Sequence, residues 1–267
     1  MTYHYLSLRK EDGIAYVTLN RPEKMNAINY ELVREIIKLQ KQLKRDRSLR
    51  VVIVNGAEGN FSSGFDTKSM VDNPLNLAKI GVKWFPTKAN IAQLISMGWQ
   101  RLPIPVIAVI EGVCFGAAMD IVLGADMRYA APSAQLSIME IKWGLMPDMG
   151  GFDSLRALVT KDTALELLYT GGIIKAEQAQ QINLVSRVCD NPMQDAQAMA
   201  KKIINGSPDA IAAIKLSVHK SWSASTSLLL ARETIYQVAL IISRNRRVAV
   251  RRTKKPGEEY FKRQWWW

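Results

Sequence analysis

The chain has only two cysteines, Cys114 and Cys189, and two histidines, His4 and His219, among 267 residues. Two cysteines build no disulfide framework, and these four residues stand at no metal-ligand spacing, so neither a disulfide scaffold nor a metal centre is expected. Long apolar runs are missing as well. The longest uncharged apolar stretch, residues 102–110, stops at Glu111, far short of the roughly 20 residues a membrane span needs. Arg9, Lys10, Glu11 and Asp12 stand where a signal peptide would have its apolar core, so a cytoplasmic location is expected. The Walker-type phosphate loop, the G-x-G-x-x-G dinucleotide turn and the G-x-S-x-G elbow are all absent. Nucleotide hydrolysis, dinucleotide redox chemistry and the usual serine hydrolysis lose their motifs.

What is present is ordinary globular material, 48% hydrophobic and 22% charged, enough to bury a core of one large domain or two small ones. Charge is the unusual feature. The net value is +12, and residues 244–263 alone carry nine basic side chains against Glu258 and Glu259. With Tyr260, Phe261, Trp265, Trp266 and Trp267, that tail supports one reading as a nucleic-acid or anionic-membrane binder. The competing reading is a solvated charged face.

Hydrophobic periodicity predicts strands over residues 3–10 and 14–19 around a Glu-Asp-Gly turn, an amphipathic helix over 30–46 and a buried strand over 51–54. A second unit follows, with a helix over 88–101, a strand over 106–110 and a small-residue helix over 116–124. Short strands are expected at 126–130, 135–138 and 184–188, the last after a helix at 176–181. From residue 192 onward the pattern is helical, over 193–204, 208–222 and 226–243. The alternation predicts an α/β class, with a core over residues 1–195 and a helical region over 196–267.

Two Gly-containing stretches each follow a strand directly: NGAEGNFSSGFD at 55–66 and EGVCFGAAMD at 111–120. Small residues there let peptide N–H groups approach a ligand, and the second stretch also opens a helix. Two such turns can form an oxyanion hole; as a plainer reading, the glycines serve turns and packing. Three acids sit in apolar or Gly-rich settings: Asp120 in AAMDIVLG, Glu140 after LSIM and Asp148 in WGLMPDMGG. Such surroundings raise carboxyl pKa values toward those useful for proton transfer. The plainer readings are a solvated helix residue for Asp120, a strand-end charge for Glu140 and a helix cap for Asp148.

At this point the sequence resembles the enoyl-CoA hydratase/isomerase, or crotonase, superfamily. The likeness rests on LNRPEKMNAI at 19–28, NFSSGFD at 60–66, PVIAVIEG at 105–112 and GLMPDMGG at 144–151, followed by LYTGG at 168–172, Gln178-Ala179 and INLVSRV at 182–188. It implies a crotonase spiral of ββα units with a helical C-terminal region that forms homotrimers or hexamers. It implies an acyl-CoA thioester as substrate, with coenzyme A as part of the substrate and no separate cofactor. The peptide N–H groups of Phe65 and Ala117 match the oxyanion hole, and Met25, Ala27, Ser62, Gly64 and Lys68 match the coenzyme A site. A positive tail near that pocket would favour an anionic substrate. The family's hydratases use two glutamates, whose positions are Asp120 and Glu140 here. The trio Asp120, Glu140 and Asp148 resembles the dienoyl-CoA isomerase branch, so isomerisation of 3,5-dienoyl-CoA to 2,4-dienoyl-CoA is the expected reaction and hydration of 2-enoyl-CoA the alternative. A nucleic-acid or membrane binder and a catalytically silent scaffold are the remaining readings.

Overall fold

Asp12 and Gly13 both adopt positive φ, 49° and 77°, the backbone of a tight hairpin turn that matches strand twist. The turn joins β1 (Leu6–Glu11) to β2 (Ile14–Leu19) in antiparallel register, with Glu11 opposite Ile14. The computed structural model describes residues 3–67, 79, 81–83, 85 and 87–265; Lys68, Trp266 and Trp267 lie outside the described residues.

From β2 onward the large sheet is parallel. Strands β3 (Val51–Gly56), β4 (Val106–Ile110), β6 (Met127–Ala130) and β9 (Arg187–Val188) add in the order β1-β2-β3-β4-β6-β9. A second sheet orders β5 (Val113–Phe115), β7 (Gln135–Ser137) and β8 (Ile174–Lys175). The large sheet is covered on both faces, which is why β3 and β4 read as unbroken apolar runs. Their side chains alternate between two cores. Val52, Val54, Val106, Ala108 and Ile110 face the main core, whereas Val51, Ile53, Ile107 and Val109 face a smaller one.

The main core is closed by α1 (Tyr30–Arg45), α2 (Ile91–Gln100) and α3 (Ala117–Leu123). Asn29 caps α1 by accepting the Leu32 N–H, and Leu32, Val33, Ile36, Leu39 and Leu43 form its buried stripe. Burying each such side chain contributes about 1.5–3 kcal/mol. After the second sheet come α4 (Gly151–Leu158), α5 (Lys161–Thr170) and α6 (Ala176–Gln181). The smaller core is closed by α7 (Pro192–Ile204) through Ala196 and Ala200. This helix crosses residue 195 and packs on the sheet.

Beyond it, α8 (Pro208–Ser221) and α9 (Thr226–Ile241) form a third cluster around Leu216, Tyr236 and Ala239, and α10 (Arg244–Arg252) follows. An ionic anchor fixes α8 to the core. Buried Lys215 pairs with Asp126 at 2.8 Å and donates to the Trp99 and Ile104 carbonyls at 2.8 and 2.9 Å.

The basic tail is a strap rather than a loose arm. Its first half is α10. Beyond that helix, Arg251 pairs with Glu258 at 2.5 Å, Arg263 is 2% exposed and donates to the Lys44 carbonyl at 3.0 Å, and Trp265 packs against the third cluster. The strap lies beside Lys44, Arg47 and Arg50, at the start of β3. The Gly-rich stretches leave the far ends of β3 and β4, and a six-residue strand separates its two ends by about 17 Å.

Candidate active site

Each turn of the spiral adds one strand to the large sheet and then a short extended segment to a second wall. The segments stack through single bridges between Ile28 and Phe65 and between Ser62 and Cys114. Ile28 donates to the Gly64 carbonyl at 2.7 Å and accepts from Asp66 at 3.0 Å. In this parallel pattern both neighbours of Phe65 bond to Ile28, so the Phe65 N–H faces away from it.

On the next layer Phe115 donates to the Ser62 carbonyl at 3.1 Å and Gly116 to the Ser137 carbonyl at 2.9 Å. Gly116 has φ 52° and ψ −122°, a backbone conformation open in practice to glycine alone. It turns the chain from β5 into α3, whose first residue is Ala117. An N–H in the first turn of a helix has no intrahelical acceptor. Among the described residues, neither the Phe65 nor the Ala117 N–H donates to a backbone carbonyl. Gly64 lies against this turn, with the Phe115 carbonyl and the Ala117 nitrogen among its nearest neighbours. The two expected oxyanion donors thus belong to adjacent layers of one wall.

Glu140 opens a 3-10 turn, Glu140–Trp143. Its carboxylate reaches back to the same wall: Oε1 would stand 3.4 Å from a methyl group placed on Gly116. Its Oε2 is buried and has no hydrogen-bond partner among the described residues. An unsatisfied buried carboxylate oxygen is costly unless it has a task.

Asp120 is 3% exposed on α3, and its Oδ1 accepts the Gly151 N–H at 2.8 Å. Gly151 is required by that approach, because a Cβ there would fall 2.1 Å from Asp120 Oδ1. Burial pushes the Asp120 carboxyl well above its usual range; Glu140 and Asp148 add to the rise, and the Gly151 N–H opposes it. Glu140 is also raised, mainly by burial, with Asp148 contributing. Asp120 is the deeper of the two, and the two carboxyls titrate as a coupled pair.

Asp148 is exposed between buried Pro147 and Met149 and acts on both acids through space. The three carboxyls therefore share one electrostatic neighbourhood. Their plainer readings fail: Asp120 is not solvated, Glu140 starts a turn with one oxygen buried, and α4 is capped by Gly150 rather than Asp148. Among the described residues, no group of three His, Cys, Asp or Glu side chains is placed to hold a metal ion.

The residues matched to coenzyme A fall into two kinds. Met25 is exposed with φ 47°, and its carbonyl accepts the Ser63 N–H at 2.9 Å. Ala27 and Ser62 are buried. The Ser62 hydroxyl accepts the Gly64 N–H at 3.1 Å, so that side chain shapes the turn.

Sequence reasoning passed over three residues that build this wall. Asn26, fully buried, donates to the Ala57 and Asn60 carbonyls at 2.9 and 2.8 Å. Arg21 pairs with Asp66 at 2.7 Å and donates to the Ala27 carbonyl at 3.2 Å. Gly151 is the third. All lie inside the conspicuous sequence stretches, but a stretch marks a place without saying which atoms face one another.

Comparison with known proteins agrees with the geometry. The chain is 29% identical over 238 residues to the short-chain-enoyl-CoA hydratase of Clostridium acetobutylicum, covering 88% of each chain. It is 32% identical over 213 residues to the carnitinyl-CoA dehydratase of Shigella flexneri, covering 79% of this chain and 78% of that one. The crystal structure of an enoyl-CoA hydratase from Bacillus anthracis superposes with a TM-score of 0.85 at 25% identity, covering 98% of this chain and 100% of the other. A ββα spiral, two peptide donors on adjacent layers and a carboxyl pair, one buried and one half-buried, accompany a match of residues 9–252 to the enoyl-CoA hydratase/isomerase family model, and to that family the chain belongs.

Proposed function

We propose that the chain hydrates 2-enoyl-CoA thioesters, with Glu140 as the base and Asp120 as the proton donor. The observation that carries this reading is the Glu140 carboxylate, whose Oε1 lies beside Gly116 and whose buried Oε2 has no hydrogen-bond partner among the described residues. A carboxylate oxygen beside the turn that presents the Ala117 N–H is placed to hold a water next to the bound thioester. The hydratase and dehydratase names of the relatives favour water addition over the dienoyl isomerisation expected from the three acids.

On this reading the thioester oxygen sits between the Phe65 and Ala117 N–H groups. Glu140 takes a proton from water as the oxygen bonds to the β-carbon. The π pair moves toward the thioester oxygen, and the α-carbon then takes the proton of Asp120. A return of the proton from Glu140 to Asp120 resets the site. Fixed donors aimed at developing oxyanion charge contribute about 2.7–4 kcal/mol each by analogy with known holes. Met25, Ala27 and Gly64 provide the edge along which coenzyme A lies. A homotrimer, or a pair of trimers, is supported by large apolar side chains left exposed on α9, including Leu228, Ile235 and Val238.

A second reading has one observation in its favour, the exposed Asp148 carboxylate that bears on both Asp120 and Glu140. There Glu140 removes a proton from C2 of a 3,5-dienoyl-CoA and Asp148 delivers one at the far end of the conjugated system.

The test is a paired absorbance assay of 2-enoyl-CoA hydration and 3,5-dienoyl-CoA isomerisation, in the wild type and in Glu140→Gln. Hydration as the faster reaction, reduced about 10²–10⁴-fold by Glu140→Gln, is the expected result. Isomerisation as the faster reaction would overturn it.

A further inference from the structure

Two loops run side by side at the wall that carries Phe65. Residues 25–28 hold the edge proposed for coenzyme A, and residues 63–66 hold Phe65 itself. Their main chains are laced together: Ser63 donates to the Met25 carbonyl at 2.9 Å, Ile28 to the Gly64 carbonyl at 2.7 Å and Asp66 to the Ile28 carbonyl at 3.0 Å. The first loop is also braced from within. The Arg21 N–H donates to Asn26 Oδ1 at 2.9 Å, and the Asn26 N–H donates back to the Arg21 carbonyl at 2.9 Å.

The Arg21 side chain adds an ionic tie between the two loops. Its Nη1 carries two N–H groups, and this one nitrogen donates to the Ala27 carbonyl at 3.2 Å and to Asp66 Oδ2 at 2.7 Å. Ala27 precedes Ile28 and Asp66 follows Phe65, so the guanidinium closes a clamp around the Ile28–Phe65 bridge. The two side chains are largely shielded from water, 11% and 15% exposed, and the guanidinium lies over the Tyr5 ring at 5.4 Å. Glu23 is a looser partner, exposed and 3.7 Å away. A shielded, charge-assisted contact holds its geometry better than a surface ion pair.

We propose that Arg21 is a positioning residue: it ties the Ala27 edge to Phe65, so that coenzyme A seated on that edge fixes the Phe65 N–H against the thioester oxygen. The inference rests on the acyl-CoA reading above and holds for either reaction, since both build charge on that oxygen. Binding energy from the remote nucleotide is then realised as kcat rather than as affinity.

Arg21→Met keeps much of the side chain's length and removes its charge and donors. Asp66→Asn keeps the shape of the other partner and removes its charge. Each variant and the wild type are assayed on two thioesters of one acyl group, the first of coenzyme A and the second of N-acetylcysteamine, which lacks the nucleotide. In both variants kcat should fall about tenfold more on the coenzyme A thioester than on the truncated one, within the loss that a misplaced group causes. KM for the coenzyme A thioester should change by less than about threefold. A merely structural role lowers kcat on both thioesters equally, and that outcome would overturn the inference, as would an unchanged kcat. If Arg21→Met loses its cooperative melt, Asp66→Asn decides alone. A wild type inactive on both thioesters would overturn the acyl-CoA reading and this inference together; an active wild type whose substrate ratio survives in the variants would overturn this inference only.

Discussion

The first peptide N–H of α4, at Gly151, donates to the buried carboxylate of Asp120 on α3 at 2.8 Å. One helix thereby aims the acid carried by another, and the lack of a side chain at residue 151 permits the approach. Gly151→Ala would set a methyl group 2.1 Å from Asp120 Oδ1. Relieving that overlap must rotate the carboxyl or shift α4. The expected result is a fall of about 100-fold in kcat with a stability loss of about 1–3 kcal/mol. Steady-state kinetics and a urea melt on the same preparation check both parts.

Asp120 and Glu140 both have raised folded-state pKa values, with burial as the leading cause. A raised carboxyl stabilises the fold below its unfolded pKa, and that contribution is lost as pH rises through the folded value. Asp120→Asn keeps the acceptor for Gly151 and removes the titration. Melting temperatures measured from pH 4 to 9 should show the variant gaining on the wild type as pH rises. A constant difference across that range would contradict the assignment of a buried, titrating Asp120.

Asp148 separates the two reactions. On the hydratase reading it touches neither proton in flight, so Asp148→Asn should change hydration by less than about threefold, the effect of a lost through-space interaction of roughly 0.5 kcal/mol. On the isomerase reading the same variant loses the proton donor and should lose about 10²–10⁴-fold of dienoyl-CoA conversion. Both rates can be followed by absorbance on one enzyme sample.

The Asp126–Lys215 pair is structural. Lys215 is buried with three oxygen partners, and Asp126 provides the only charge among them. Asp126→Asn leaves a buried ammonium group without its counter-charge and should cost about 3–5 kcal/mol. Urea denaturation reads the loss directly.

The sequence marked the large sheet and the helices around it well, because β3 and β4 are short apolar runs between turns and α1 carries a clean buried stripe. Other elements gave no such signal. The three-residue β5 lies inside a Gly-rich stretch that reads as loop. The opening glycines of α4 hide its start, and α5 buries only Leu167, so no stripe forms. In α10 only Asn245 and Val248 are buried, and residues 244–252 read as charge rather than helix. The three acids were legible as misfits in apolar surroundings. Their mutual arrangement was not, because it depends on how deeply each lies and on a peptide N–H that comes from another helix.

Arg263 hydrogen-bonds across 219 residues of sequence to Lys44. Closing a loop of that length has a large entropic cost, so contacts of this kind are slow to form. On a ribosome the strands from β1 to β4 can pair long before Arg263 has been synthesised. Folding therefore has a direction: the large sheet can begin to form while the chain is still being made, and the C-terminal seam closes last.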